Sequence, residues 1–160
     1  MSRGDWLLLA ALLAAFGIAD SAYLTWQWYE VATAGWCDLD PYWSCARVRE
    51  SPWSSLAGVP LSLIAVGGFG AVLLVVVLGL RGHVRLGPIA ADTWLLALAG
   101  LGAALGTGLT YIEVFVIQAI CILCVTGFAL DVGILGTAVI LLRGTRMADG
   151  CNNESPRPLP

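Results

Sequence analysis

The sequence predicts an all-α membrane protein, a four-transmembrane-helix bundle with an extracytoplasmic capping loop that contains short helical segments. Three observations predict it. Hydrophobic residues make up 59% and charged residues 12% of the 160 positions, and the mean hydropathy of +0.84 exceeds what a soluble core requires. Four apolar stretches, about residues 6–29, 60–80, 89–116 and 120–142, are each long enough to cross about 30 Å of hydrocarbon at about 1.5 Å per residue. One polar segment of any size, residues 30–58, separates the first stretch from the second.

The first stretch ends near Ala32-Thr33-Ala34, which resembles a signal-peptidase site. It is longer than a signal h-region of about 7–15 residues, and it carries Asp20, Ser21 and Thr25, for which a discarded segment has no use. It is therefore expected to stay as a span. Gly67, Gly68 and Gly70 in the second stretch, and Gly102 and Gly106 with Ala99 and Ala103 in the third, are small residues that let helices approach closely. The fourth stretch opens at Cys121-Ile122-Leu123-Cys124. Residues 1–143 are expected to form one transmembrane domain. The polar, proline-bearing tail 144–160 is expected to be disordered and cytoplasmic, with Cys151 in it incidental.

Orientation follows from arginine, since the chain has no lysine. Arg3, then Arg81 and Arg85, then Arg143 and Arg146 all fall on one side of the four spans, which the positive-inside rule assigns to the cytoplasm. The large loop then faces outward, its Arg47 and Arg49 balanced by Asp38, Asp40 and Glu50. The net charge of −3 comes without a basic cluster, so nothing points to nucleic acid or a strongly anionic partner.

Four of the five cysteines carry the chemistry. Cys37 and Cys45 lie in the outward loop, and Cys121 and Cys124 open a span on the same side, where disulfides form and persist. A C-x-x-C on a helix sets two sulfurs one turn apart, close enough to close a disulfide and reopen it. Thiol–disulfide exchange with a second pair then moves two electrons along the chain. In the first turns of the fourth span, unpaired amides and the helix dipole favour a thiolate at Cys121, while Cys124 lies about 4.5 Å deeper. A buried, purely structural role for all four is the weaker reading.

The spacing inside and beyond the loop resembles the vitamin K epoxide reductase family over about residues 15–140. Seven residues separate Cys37 from Cys45, an acid follows the first, Arg47-Val48 follows the second, and Ser51-Pro52-Trp53 comes shortly after. Gly58-Val59-Pro60-Leu61-Ser62 resembles the opening of the second span in prokaryotic members, and Phe128 trails the C-x-x-C. The resemblance implies a bundle that holds a quinone of the menaquinone, ubiquinone or vitamin K type beside Cys124. It also implies a transient disulfide between Cys45 and Cys121, leaving Cys37 to meet a secreted or periplasmic thioredoxin-like protein. The implied activity is a quinone-dependent thiol oxidoreductase that generates disulfides in that partner. The alternatives are a reductase of vitamin K epoxide or quinone serving another pathway, or a non-catalytic membrane protein with structural disulfides.

Candidate quinone-side residues are Ser51, Trp53, Phe128 and Cys124. Ser51 is the first candidate hydrogen-bond donor, with a turn or cap as its ordinary role; Arg47 is expected to brace the loop through Asp38 or Glu50. Trp36, Tyr42, Trp43 and Trp53 suit an interfacial belt or a cap over an apolar ligand equally. Asp20, Glu113 and Asp131 are ionisable groups in or beside spans, where carboxyls must face the bundle interior. Glu113 is near enough to the outer end to reach water or Cys121, and Asp131 is expected to make a helix–helix hydrogen bond. His83 lies in the cytoplasmic turn, remote from the cysteines, so no Cys/His metal site is expected.

Overall fold

The computed structural model describes residues 2–30, 36–83 and 85–153. Its long helices are α1 (Arg3–Tyr29), α3 (Leu61–Leu80), α4 (Ala91–Ile112) and α5 (Ile122–Asn153). All four are long and apolar enough to cross a membrane. The expected signal-like tripeptide Ala32-Thr33-Ala34 lies outside the described residues. Ser2 starts α1 by a capping box, its Oγ accepting from Asp5 N at 3.3 Å while Asp5 Oδ2 accepts from Ser2 N at 2.7 Å, so two orphan amides of the first turn are satisfied.

The loop contains α2 (Cys45–Glu50), a 3₁₀ turn (Pro52–Ser54) and a two-stranded hairpin of β1 (Ser55–Leu56) and β2 (Val59–Pro60). The hairpin adds to the short helical segments expected there. Its turn places Ala57 and Gly58 at φ 53° and 83°, the left-handed pair that matches the twist of adjoining strands. A second hairpin, β3 (Arg85–Leu86) with β4 (Ile89–Ala90), joins α3 to α4 through Gly87 at φ 69°.

One expectation fails at the C-terminal end. The fourth helix does not stop at Leu142 before a disordered tail; α5 continues to Asn153, with Cys151 inside the extension. No proline interrupts the chain between Leu142 and Pro156, so nothing breaks the ladder of backbone hydrogen bonds.

Helix α1 packs on α3 and α5, and α4 packs on α5 and α3. The close-packed core unites Leu7, Ala10 and Ala14 of α1, Phe69, Val72 and Val76 of α3, Leu95 and Ala99 of α4, and Ile134, Ala138 and Leu141 of α5. All but Phe69 and Ile134, which lie near the middle of their helices, fall in the half of the helix nearer the chain termini, so that half of the bundle is solid. Glycine makes the contact possible at Gly17, where a Cβ would come within 2.5 Å of the Phe69 ring. At the same end Arg3 donates to the buried carboxylate of Asp92 at 2.7 Å, tying α1 to α4. The loop half is different: there the four helices part around a cavity.

Candidate active site

The loop is pinned to the start of α5 by backbone pairing. Ile120 N donates to Tyr42 O at 2.7 Å and Ser44 N to Ile120 O at 3.1 Å, which sets Trp43 beside Ile120 as a short parallel bridge. Cys45 follows directly as the first residue of α2, and Cys121 directly precedes α5. Residues one step beyond a fixed pair of backbones have little freedom, and the two sulfurs meet at 2.9 Å.

Local side chains hold each arm of this contact. Ser44 caps α2, its Oγ accepting from Arg47 N at 3.2 Å. Asp38 Oδ1 accepts from Ser44 Oγ at 2.7 Å and from Ala46 N at 3.0 Å, so the acid after Cys37 folds its own strand back onto α2. Arg47 does brace the loop, but not through Asp38 or Glu50. Its guanidinium donates to the carbonyls of Pro41 at 2.6 Å and Ile117 at 3.5 Å, because Asp38 is already occupied by nearer donors.

On the other arm, α4 passes into a π turn over Glu113–Ile117, and Gln118 then adopts a left-handed φ of 54°. A single π turn and a non-glycine residue in that region are both sparsely populated choices that cluster at functional sites. The reversal brings Ala119 N to Glu113 O at 3.1 Å and lets the Glu113 carboxyl accept from Cys121 N at 3.3 Å. Glu113 is also within hydrogen-bonding reach of the Cys124 thiol.

All four expected cysteines are thus brought together. Cys37 is within reach of Cys45, Cys45 of Cys121, and Cys121 of Cys124, in one cluster with Val48 and Ala119. Cys37, Cys45 and Cys121 are only 2%, 3% and 1% exposed. Burial, then the contact with Cys45, pushes the Cys37 thiol up to about 12, and the contact with Cys121 together with burial holds Cys45 well above its ordinary value. Both therefore stay protonated at neutral pH. Cys37 does not face solvent as a partner-facing thiol would.

Beneath the sulfurs lies a cavity of about 440 Å³. Its wall includes Trp28 of α1, Leu61, Ala65, Gly68 and Val72 of α3, Leu105 and Gly106 of α4, and Cys124 and Phe128 of α5. The Phe128 ring lies against Gly106, where any Cβ would collide with it. The lining is mainly apolar with a few polar groups, the composition of a site for a flat apolar ligand.

The expected quinone-side residues divide on inspection. Cys124, Phe128, Trp53 and Ser51 all line the cavity. Ser51, however, has given its hydroxyl hydrogen to Val48 O at 2.7 Å, where it ends α2, so it is not a free donor. Sequence reasoning missed Gln27. Its Nε2 is buried without a hydrogen-bond partner among the described residues, on the cavity wall, and the only signal was an amide within an apolar span. Trp36, Tyr42, Trp43 and Trp53 are partly exposed at the loop end, and Trp36 Nε1 donates to Tyr23 Oη at 2.7 Å.

Asp20 and Asp131 sit deeper in the same cavity. The hydrogen bond expected between helices at Asp131 is not made by Oδ2, which has no partner among the described residues; the carboxyl rests on Gly102 of α4, which offers no side-chain donor. A carboxylate at the centre of a span costs about 2.5–3.5 kcal/mol, so both lie where a polar ligand atom or water would relieve them. Among the described residues no group of three His, Cys, Asp or Glu side chains forms a metal site.

Compared with models of known protein families, residues 8–139 match the one described as the vitamin K epoxide reductase family.

Proposed function

The chain belongs to the vitamin K epoxide reductase family, and on that premise we propose that it is a quinone-dependent membrane thiol oxidoreductase that makes disulfides in a secreted thioredoxin-like partner. The observation that carries the reading is the unbroken series of sulfur contacts, Cys37 to Cys45 to Cys121 to Cys124, ending at the wall of an apolar cavity. The cavity fits a quinone ring by size and lining. Cys124, Phe128 and Trp53 would hold the ring, and the orphan Gln27 amide would be available to donate a hydrogen bond to it. A bound quinone supplies an acceptor for two electrons and two protons.

The residues perform the rest by exchange. A partner dithiol reduces the Cys37–Cys45 disulfide and leaves as a disulfide. Cys45 attacks Cys121 of the Cys121–Cys124 disulfide, expelling Cys124 as a thiolate, and Cys37 then attacks Cys45 and releases Cys121. Two electrons have moved inward. Because Cys37 and Cys45 hold their protons so firmly, each attack requires a base or a passing opening of the loop, which keeps the thiols from reacting with whatever diffuses past.

The purified chain is expected to oxidise a reduced thioredoxin-like protein only when a quinone is supplied, one partner disulfide appearing per quinone reduced. Quinone-independent or absent oxidation would overturn the reading, and turnover of the quinone epoxide in place of the quinone would redirect it to the epoxide activity.

The active site is proposed to face the extracytoplasmic side, with both termini cytoplasmic, on the arginine distribution. Cys37 is too buried to report this by labelling. Leu39, 69% exposed, and His83, exposed in the opposite turn, are better sites. An impermeant maleimide added to intact cells should label Leu39→Cys and spare His83→Cys; the opposite pattern would invert the topology.

A further inference from the structure

We propose that Glu113 is a catalytic acid–base for the inner dithiol, taking the proton of Cys124 when that thiol gives up its electrons and returning a proton when Cys124 is expelled as a thiolate. This rests on the reading above that Cys124 is the acceptor-facing sulfur.

Three independent placements support it. Glu113 is only 4% exposed, in a position where a carboxyl is costly. Its Oε2 accepts the Cys121 amide at 3.3 Å, which holds the carboxyl still, and the Cys124 thiol is within its reach. The residue stands on the π turn rather than on regular α4, and that departure is what turns the side chain toward the two cysteines. A capping role alone would be met by a serine or aspartate next to the helix start, as Ser2 and Ser44 do for α1 and α2. Here the acceptor comes from eight residues away.

The step balances as follows. In the reduced state Cys121 and Cys124 each carry an S–H. The Cys124 S–H breaks, its proton passes to the Glu113 carboxylate, and the electron pair stays on sulfur. As the Cys121–Cys124 bond forms, two electrons and two protons pass to the quinone, one proton by way of Glu113, which ends as a carboxylate. In the opposite half of the cycle, Cys45 gives its proton to the Glu113 carboxylate in the cavity they share and attacks Cys121, which breaks the Cys121–Cys124 bond, and the departing Cys124 thiolate takes that proton from Glu113. The titratable and charged groups that share the cavity with Glu113 are Cys45 and Arg49 of α2, Asp20 of α1, and Cys121, Cys124 and Asp131 at and along α5. Arg49 is engaged with the Gln27 carbonyl at 3.3 Å, and among these side chains the Cys124 thiol is the one in hydrogen-bonding reach of the carboxyl.

Glu113→Gln separates the roles, because the amide oxygen still accepts from Cys121 N but cannot take a proton. Quinone reduction driven by a small dithiol is expected to fall about 10²-fold, the usual contribution of a positioned acid–base. The second readout needs no quinone. Alkylation of Cys124 by a small neutral maleimide, followed residue by residue with mass spectrometry, should show in the native chain a pH range of nearly constant rate, where carboxyl and thiol share one proton. In Glu113→Gln the rate should drop tenfold for each pH unit throughout. If the variant keeps both native turnover and the flat range, the inference is overturned; if turnover falls but the alkylation profile is native, Glu113 only supports the helix start, and the inference is likewise overturned. Should Glu113→Gln fail to fold, Glu113→Asp carries the same test, and it must retain the flat range. Full quinone reduction by Cys124→Ala would instead overturn the underlying reading of Cys124, a result that no outcome at Glu113 can mimic.

Discussion

Replacing Cys124 with alanine is expected to abolish quinone reduction altogether, to the level seen without protein, and to leave Cys45 bonded to Cys121. No other sulfur among the described residues lies on the cavity wall below Cys121: Cys45 and Cys121 meet at its upper rim, and Cys37 is a further contact away. With Cys124 gone, the Cys45–Cys121 bond can be opened only by Cys37, so the double variant Cys37→Ala/Cys124→Ala should hold it in nearly every molecule. Alkylation, digestion and mass spectrometry would show the two peptides joined. The bond also fastens α2 to the start of α5, so proteolysis within residues 36–58 should slow. Finding Cys45 free in the double variant under oxidising conditions would separate the loop from the bundle pair and reduce the relay to two unrelated thiol pairs. By contrast, Cys37→Ala should spare quinone reduction when a small dithiol that can reach Cys121 replaces the protein partner.

Filling the cavity should strike the other end of the reaction. Leu61, Ala65, Gly68 and Val72 recur at the four- and three-residue spacing that puts them on one face of α3, and all four line the cavity. A Cβ at Gly68 would meet nothing within 4 Å. Gly68→Phe therefore projects a ring into open space without disturbing the packed core around Phe69 and Val76. Quinone reduction should fall by at least about tenfold, equivalent to about 1.4 kcal/mol, through a raised Michaelis constant for quinone. Thiol exchange between a dithiol and the four cysteines should proceed at the native rate. Native quinone kinetics in this variant would place the acceptor somewhere other than this cavity.

The spans were legible because hydrocarbon thickness imposes a length that few other structures require. Tyr29 and Leu80 end α1 and α3 where the apolar runs end, and the loop-bearing and hairpin-bearing turns fall between them. The closeness of Cys45 to Cys121 was legible only through resemblance to a family, since it depends on a backbone bridge between Trp43 and Ile120 and on a left-handed Gln118, neither of which leaves a periodic mark. Spacing located Ser51 on the cavity wall but not the fate of its hydrogen, which the end of α2 consumes. Arg47 and Asp131 show the same limit. A charged side chain advertises a need for a partner, while the choice among carbonyls, carboxylates or none is made by distances between elements far apart in sequence. Gln27 was passed over because an isolated amide in an apolar run carries no pattern at all. The length of α5 was misjudged for the opposite reason: polar composition suggested a tail, although no proline before Pro156 interrupts a helix.

The linear order of the four sulfurs also limits how they can be occupied. Three neighbouring contacts exist, and the middle one, Cys45 with Cys121, uses a sulfur from each outer contact. Whenever it becomes a bond, neither of the others can be one. The fully oxidised chain holds two bonds and the fully reduced chain none, and in both the loop rests on the bundle without a covalent tie. Only the state carrying a single electron pair can fasten the loop to the bundle. A covalent tie of the lid therefore depends on a count of stored electrons, allowed at one pair and excluded at zero or two.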